Sequence, residues 1–296
     1  MFNVLIVGYG NIGRFALDAV SSANDANLVG IMRRGAKAGD KIQGYDVFSS
    51  LDEIKEKIDV ALLCVPTSKV FEYAKYFSEH KINTVDCFDR HKDILSLREK
   101  LLEITKQNGT KAVISAGWDP GSDSVVRALL EAICPKGITN TNFGTGMSMG
   151  HSVVAKSVKG VRDALSITIP LGSSLHRRMV YVELEEGANF EEIEREILSN
   201  DSFSSDDSHV IETKCVKSLI DMGHGVLIER KGVSGKTHNQ NISFKMSINN
   251  PAATSQIMLS CARALMKREP GVYTMIELPV VDMLEGSAEE NIKRLV

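Results

Sequence analysis

Residues 3–14 read NVLIVGYGNIGR, and the fold turns on how that stretch is taken. Asn3–Val7 is an apolar-rich run of strand length, and Arg14–Ser22 has the spacing of an amphipathic helix. Between them Gly8, Tyr9, Gly10, Asn11, Ile12 and Gly13 form a GxGxxG turn. Glycine-rich loops produce that pattern by chance, so the strand before it and the helix after it carry the weight. In that setting the first glycine allows the tight turn, the second lets backbone approach a pyrophosphate, and the third lets helix pack closely on strand. The helix start then offers free N–H groups and a positive dipole end to phosphate. These six residues are the expected dinucleotide-binding turn.

Working outward, strand-like runs at Leu28–Met32, Val60–Cys64, Thr84–Cys87 and Ala112–Ser115 alternate with helical stretches at Lys69–Glu79 and Ile94–Gln107. Such alternation predicts a parallel sheet wrapped by helices. After Trp118 the rhythm changes. A helix at Asp123–Ile133 precedes strands with polar alternation at Thr139–Phe143, Met179–Leu184, Val210–Val216, Gly225–Arg230 and Asn241–Ile248, with a helix at Phe190–Leu198. A last helix at Ala253–Met266 comes before Tyr273–Leu278. The fold class expected is α/β: a Rossmann-type domain over 1–117, an inserted α+β substrate and dimerisation domain over 118–252, and a return to the first domain over about 253–296.

The second strand ends in Arg33-Arg34, where NAD-binding proteins carry an acid for the ribose hydroxyls. Two guanidinium groups suit a 2′-phosphate, which makes NADP the expected cofactor; a solvated basic turn is the competing reading. Cys64, Val65, Pro66 and Thr67 close the third strand, Phe88 and Asp89 the fourth, and Pro120 and Gly121 follow the last. All stand at carboxyl ends of strands, where ligands bind in such sheets, and are further cofactor candidates. Pro66 also reads as a simple strand terminator, and Asp89 as an N-cap for the helix beginning near Asp93.

The 296 residues carry a formal net charge of −3, with 43% hydrophobic and 25% charged residues, so the chain has no electrostatic footprint for nucleic acid. No apolar run reaches membrane-helix length. Five scattered cysteines with no CxxC pair read as reduced thiols. The dispersed histidines, with Asp89 and His91 alone as neighbours, give no metal-ligand set. A start at FNVLIVGYG without a basic leader makes the cytoplasm the expected location.

The single tryptophan stands in SAGWDPGSDS, residues 115–124, at the end of the last nucleotide-domain strand. Trp118, Asp119 and Asp89 there offer an indole wall and two carboxylates suited to a cationic amine. A tryptophan filling a seam beside an Asp-Pro-Gly turn is the competing reading.

Together GYGNIGR, VGIMRR, LCVPT, VDCFDRH, ISAGWDPGSDS, NFGTGMSMGHS and THNQ resemble the meso-diaminopimelate dehydrogenases, along nearly the whole chain. The resemblance implies a homodimeric, NADP-dependent enzyme that oxidatively deaminates the D-centre of meso-2,6-diaminopimelate, a reaction linked to lysine and cell-wall precursors. It implies Asp89, Trp118, Asp119, Met149 and Gly150 around the D-centre, and Phe143, Thr168, Arg178, His224 and Asn250 around the distal L-centre. Thr168 also reads as an ordinary strand residue, His224 as part of a DMGHGV turn, and Asn250 as a turn former before Pro251. Longer members of that family have Gln and Asp where this chain has Met149 and Val153, and insertions before His176-Arg177-Arg178. Loss of those polar groups raises the alternative of a broader D-amino-acid dehydrogenase. A non-catalytic NADP sensor and a sugar-type dehydrogenase are the other rivals, but the latter's Glu-Lys-Pro motif is replaced here by CVPT and GWDP.

Overall fold

The computed structural model describes residues 1–172, 175–219 and 224–296. It divides into two compact units, Met1–Ala128 with Pro251–Val296, and Leu129–Asn250.

The first unit begins β1 (Phe2–Val7), α1 (Asn11–Ser21), β2 (Ala26–Met32), β3 (Lys41–Ile42), β4 (Tyr45–Phe48), β5 (Val60–Leu63), α2 (Val70–Glu79), β6 (Asn83–Asp86), α3 (Ile94–Asn108), β7 (Lys111–Val113) and α4 (Ser122–Ile133). The second unit adds β8 (Lys136–Phe143), β9 (Gly146–Ser148), α5 (Met149–Lys156), β10 (Val161–Gly172), β11 (Leu175–Leu184), α6 (Phe190–Ser199), β12 (Asp207–Glu212), β13 (His224–Ser234) and β14 (Thr237–Ile248). The chain ends with α7 (Asn250–Leu265), β15 (Gly271–Tyr273) and α8 (Ala288–Leu295).

The first unit's sheet has the order β15-β7-β6-β5-β1-β2-β4-β3 and is parallel except for the β3–β4 hairpin at its edge. Strand β1 supplies both faces of the core. Val4 and Ile6 pack with Leu17, Val20, Met258 and Leu259 from α1 and α7, whereas Leu5 and Val7 pack with Ala74, Phe77, Leu97 and Leu101 from α2 and α3. Burial on both faces explains why β5 reads as the unbroken run VALL, all of it buried. From β1 the chain goes to β2 on one side and later to β5 on the other, so the sheet order reverses at β1. The carboxyl ends of β1 and β5, paired at Val7 and Leu63, flank the crevice where such sheets take ligands.

The second unit has two sheets. One runs β12-β11-β10-β9, with Val180 and Val182 facing Ile193 and Ile197 of α6. The Asn189 side chain caps α6 by accepting from the N–H groups of Glu191 and Glu192, as its position before an apolar helical stripe requires. The other sheet, β14-β13-β8, is antiparallel.

Several elements differ from the sequence reading. The expected strand Val210–Val216 ends at Glu212, and Val216–Leu219 is a 3-10 turn. Tyr273 closes a strand, and Met275–Glu277 is a 3-10 turn held by a Thr274/Glu277 capping box. His224 is the first residue of β13 and no turn residue; Asp221, Met222 and Gly223 of that motif lie outside the described residues. Asn250 opens α7 in place of a turn, because Pro251 with its fixed φ is tolerated in a first helical turn. The hairpin β3–β4, strands β9 and β10 and helix α5 were not expected. In GMSMGHSVV the small and polar residues hide a short helix with one buried residue, Ala155.

Candidate active site

The GxGxxG turn has the geometry its spacing predicts. Gly8 has φ +93, and a Cβ there would come 2.4 Å from the Cys64 carbonyl oxygen. A Cβ on Gly13 would come 2.2 Å from the Gly8 carbonyl oxygen, so α1 approaches the turn as closely as only glycine allows. A Cβ on Gly10 would meet nothing within 4 Å beyond its own turn of chain. One glycine therefore bends the chain, one seats the helix, and one faces open space. Gly10, just before helix α1, gives it no side-chain cap, and the first turn carries no acid, so the leading N–H groups are left for an anion. Tyr9 carries the Arg14 guanidinium 6.0 Å from its ring centroid, while Asn11 is exposed and Ile12 half-buried.

Arg33 and Arg34 are both exposed after β2, and among the described residues neither is held by an acid. A cofactor bearing phosphate groups fits this donor set. The Cys64 N–H donates to Val7 O at 2.8 Å, tying the end of β5 to β1, and burial pushes the Cys64 thiol well up. Val65 and Thr67 are half-buried and Pro66 exposed.

Thr67 and Asp89 meet: the threonine hydroxyl donates to Asp89 Oδ1 at 2.6 Å. Asp89 is exposed and caps no helix; Asp93 directly precedes α3, and its side chain makes no cap. Three residues before Asp89, Asp86 ties the start of the 115–124 stretch to the end of β6. Asp86 Oδ1 accepts from the N–H groups of Phe88 at 2.9 Å and Ser115 at 3.0 Å, and Asp86 O accepts from Ala116 N–H at 2.7 Å. Asp86 is fully buried, and desolvation pushes its carboxyl up to about 6 against those two bonds. Phe88, Pro120 and Gly121 are buried.

Asp119 is the sheltered carboxylate of the set. Arg127 donates to Asp119 Oδ1 through Nη1 at 2.8 Å and Nη2 at 2.7 Å, and His91 Nε2 lies 3.8 Å from Oδ2. Burial raises its proton affinity, and Arg127 and His91 pull it back. In the first turn of α4, Asp123 is fully buried; desolvation and then the Asp119 charge push it up to about 7, with Arg127 and the Trp118 indole opposing. Trp118 is buried; its backbone N–H donates to Thr254 Oγ1 at 3.3 Å and its backbone carbonyl accepts from Asp123 N–H at 3.0 Å. The tryptophan is thus held from α4 and α7 beside the acid pair.

In the second unit two of the expected distal residues fall on neighbouring strands, while Phe143 and His224 belong to the other sheet and Asn250 to a helix. Thr168 on β10 pairs in register with Arg178 on β11, and Arg178 Nη1 donates to Thr168 Oγ1 at 2.6 Å. Arg178 Nε donates to Asp206 Oδ2, also at 2.6 Å. Phe143, ending β8, packs its ring 5.6 Å from His176, two residues before Arg178 on the same face of β11. His224 shares the inward face of β13 with Val226, Ile228 and Arg230, and desolvation pushes it down to about 4, so it is neutral at physiological pH. Met149 and Gly150 begin α5, and Asn250 begins α7, half-buried.

Four further polar residues stand among these groups. Asp123 and Arg127 stand four apart on α4, a helical spacing visible in the sequence, while Asp119 lies in the turn before that helix. Asp206 gave no such signal, because its partnership depends on the parallel pairing of β12 with β11. His176 likewise shows its place only through the β11 alternation.

Residues 2–87 match the oxidoreductase family, NAD-binding Rossmann fold, and residues 117–178 match the diaminopimelic acid dehydrogenase C-terminal domain. A curated relative, the meso-diaminopimelate D-dehydrogenase of Bacteroides fragilis, is 53% identical over 98% of both chains. The diaminopimelate dehydrogenase of C. glutamicum, solved in complex with diaminopimelate, superposes with a TM-score of 0.88 at 27% identity, covering 100% of this chain and 99% of that one. An engineered D-amino acid dehydrogenase bound to NADP+ superposes with a TM-score of 0.87 at 26% identity, covering 100% of this chain and 99% of that one. The chain carries an NAD(P)-binding Rossmann domain and belongs to the meso-diaminopimelate D-dehydrogenase family.

Proposed function

We propose that this chain is an NADP-dependent dehydrogenase that oxidatively deaminates the D-centre of meso-2,6-diaminopimelate to L-2-amino-6-oxopimelate and ammonia, working as a cytoplasmic homodimer. Family membership carries the reaction; the arginine pair, without acid partners among the described residues, supports NADP over NAD. Gly8–Gly13, Arg33 and Arg34 hold the cofactor, with Cys64–Thr67, Phe88, Pro120 and Gly121 along its path. When bound, it supplies the hydride acceptor.

The chain's own residues do the rest. The D-centre amine arrives as an ammonium and must lose a proton before the α-carbon can release hydride. Asp119 is the better acceptor: it is sheltered and its proton affinity is raised, whereas Asp89 is exposed. Both Arg127 bonds fall on Oδ1, which leaves Oδ2 for the amine. Asp89, fixed by Thr67, orients the ammonium, Trp118 forms the wall, and Met149 and Gly150 complete the D-centre contacts. Phe143, Thr168, Arg178, His224 and Asn250 hold the L-centre, so that only one α-hydrogen is presented, a proximity effect worth several kcal/mol. Water then hydrolyses the imine.

The test follows NADPH absorbance with meso-, L,L- and D,D-diaminopimelate, and with NAD in parallel. Turnover of the meso isomer, none of L,L, and preference for NADP are the expected results. Turnover of L,L or silence on every isomer contradicts the reading. D-alanine turnover would favour the broader dehydrogenase, to which Met149 at the start of α5 lends its apolar side chain.

A further inference from the structure

Two neighbouring arginines on β11 make the same ion pair in different surroundings. Arg177 Nε meets Asp207 Oδ2 at 2.6 Å with side chains 44% and 41% exposed. Arg178 Nε meets Asp206 Oδ2 at 2.6 Å with side chains only 13% and 22% exposed. Water screens the first pair; the second is sheltered, and its charges act more strongly on whatever comes near.

Arg178 has five N–H groups in a fixed fork. Asp206 takes the Nε–H and Thr168 Oγ1 takes one Nη1–H. The edge formed by Nη1 and Nη2 remains, and that edge binds a carboxylate through two parallel bonds. Thr168, accepting from the arginine, keeps its own O–H as a donor for the same carboxylate. Asp206 thus fixes which edge of the guanidinium is offered. It also cancels the charge: Arg178 and Asp206 sum to zero. His176, on the same strand and within reach of both charges, is kept toward its neutral form by burial and by Arg178.

We propose that Asp206 is a positioning and specificity residue that selects a zwitterionic head, carboxylate plus ammonium, over a bare carboxylate. The proposal rests on the reading of Arg178 and Thr168 as the distal clamp. A net-neutral sheltered cluster is matched by a net-neutral head whose carboxylate meets Arg178 and whose ammonium meets Asp206. A head with carboxylate alone would satisfy Arg178 and bring an uncompensated negative charge beside Asp206, which is costly where water is scarce.

The experiment compares kcat/KM for meso-diaminopimelate and for D-2-aminopimelate, which has the same chain and lacks the distal amine. Wild type is expected to prefer the diamine by about tenfold or more, the scale on which sites built for a polar group reject its absence. D206N should shrink or reverse that ratio by about tenfold, the change falling mainly in KM, while D206E keeps it near the wild-type value. NADP affinity and melting temperature of both variants check that the fold is intact. Equal use of the two substrates by wild type overturns the proposal without any variant, and so does a folded D206N with an unchanged ratio. A wild-type protein that binds NADP and turns over neither substrate overturns the dehydrogenase reading, and this proposal with it; a changed ratio alone leaves that reading standing.

Discussion

Asp123 in the first unit and His224 in the second are both buried and both titratable, and burial moves them in opposite directions. The carboxyl is pushed up to about 7 and the imidazole down to about 4. In each case desolvation removes the charged form. The consequence is a first unit whose sheltered acids keep protons to exchange, and a second whose sheltered histidine stays a neutral hydrogen-bonding group while Arg178 supplies the charge. One set suits an amine that must lose a proton; the other suits a carboxylate that must only be held.

The largest effect should come from the proton-handling set. Asp119→Asn should lower kcat by about 10²- to 10⁴-fold with NADP affinity unchanged, measured by steady-state kinetics and cofactor titration. A kcat within a factor of three of wild type would remove Asp119 from the chemistry. Next, Arg178→Met should act on the other side of the comparison. It should raise KM for meso-diaminopimelate by about 10- to 100-fold, the scale of charge-assisted hydrogen bonds, and change kcat far less. A loss confined to kcat would make the second unit part of the proton chemistry and break the distinction.

A pair of alanines sharpens the cofactor half. Gly13→Ala places a Cβ against the Gly8 carbonyl and should lower the melting temperature of the free protein. Gly10→Ala meets open space, so the free protein should melt as wild type does while NADP affinity falls by at least about tenfold, its Cβ intruding where the pyrophosphate must approach. Equal melting losses in both would mean that the turn is only structural.

The smallest effects are in pH-dependent stability. Asp123 has its native proton affinity raised, so the native state holds the proton that the unfolded chain releases above about pH 4. Its contribution is full below that pH and is lost as pH rises through about 7. Asp123→Asn should therefore melt a few degrees above wild type at pH 8 and together with it at pH 4. His224 has its native affinity lowered, so its contribution is present above about pH 6.5 and is lost as pH falls through about 4. His224→Asn should flatten the acid limb of the melting curve and leave the alkaline limb alone. Calorimetry from pH 4 to 8 reads both, and slopes of one sign in the two variants would contradict the comparison.

How much of this the sequence disclosed depends on how local each signal is. The turn at Gly8–Gly13 is complete within six residues, and the strands of the parallel sheet are short apolar runs bounded by helical patterns, so both could be read directly. Strand β10 could not: Ala164–Ile167 is buried on both faces, so the period-two alternation fails over its middle. Helix α5 buries one residue and offers no stripe. At the site, Trp118 and Asp119 were legible in SAGWDPGSDS and Arg178 only through the family resemblance; Asp123 and Arg127 were passed over, although they stand four apart on a helix. Asp206 was not, because its bond to Arg178 crosses from the residue before β12 to β11, and strand neighbours 28 residues apart leave no periodic trace.

The most direct measurement uses meso-diaminopimelate deuterated at one α-carbon, with mass spectrometry of the reduced cofactor. Label at the D-centre should appear in NADPH, and label at the L-centre should remain in the 2-amino-6-oxopimelate product. Deuterium reaching the cofactor from the L-centre would mean that the clamp holds the wrong end, and the division of labour between the two sets of residues would fall.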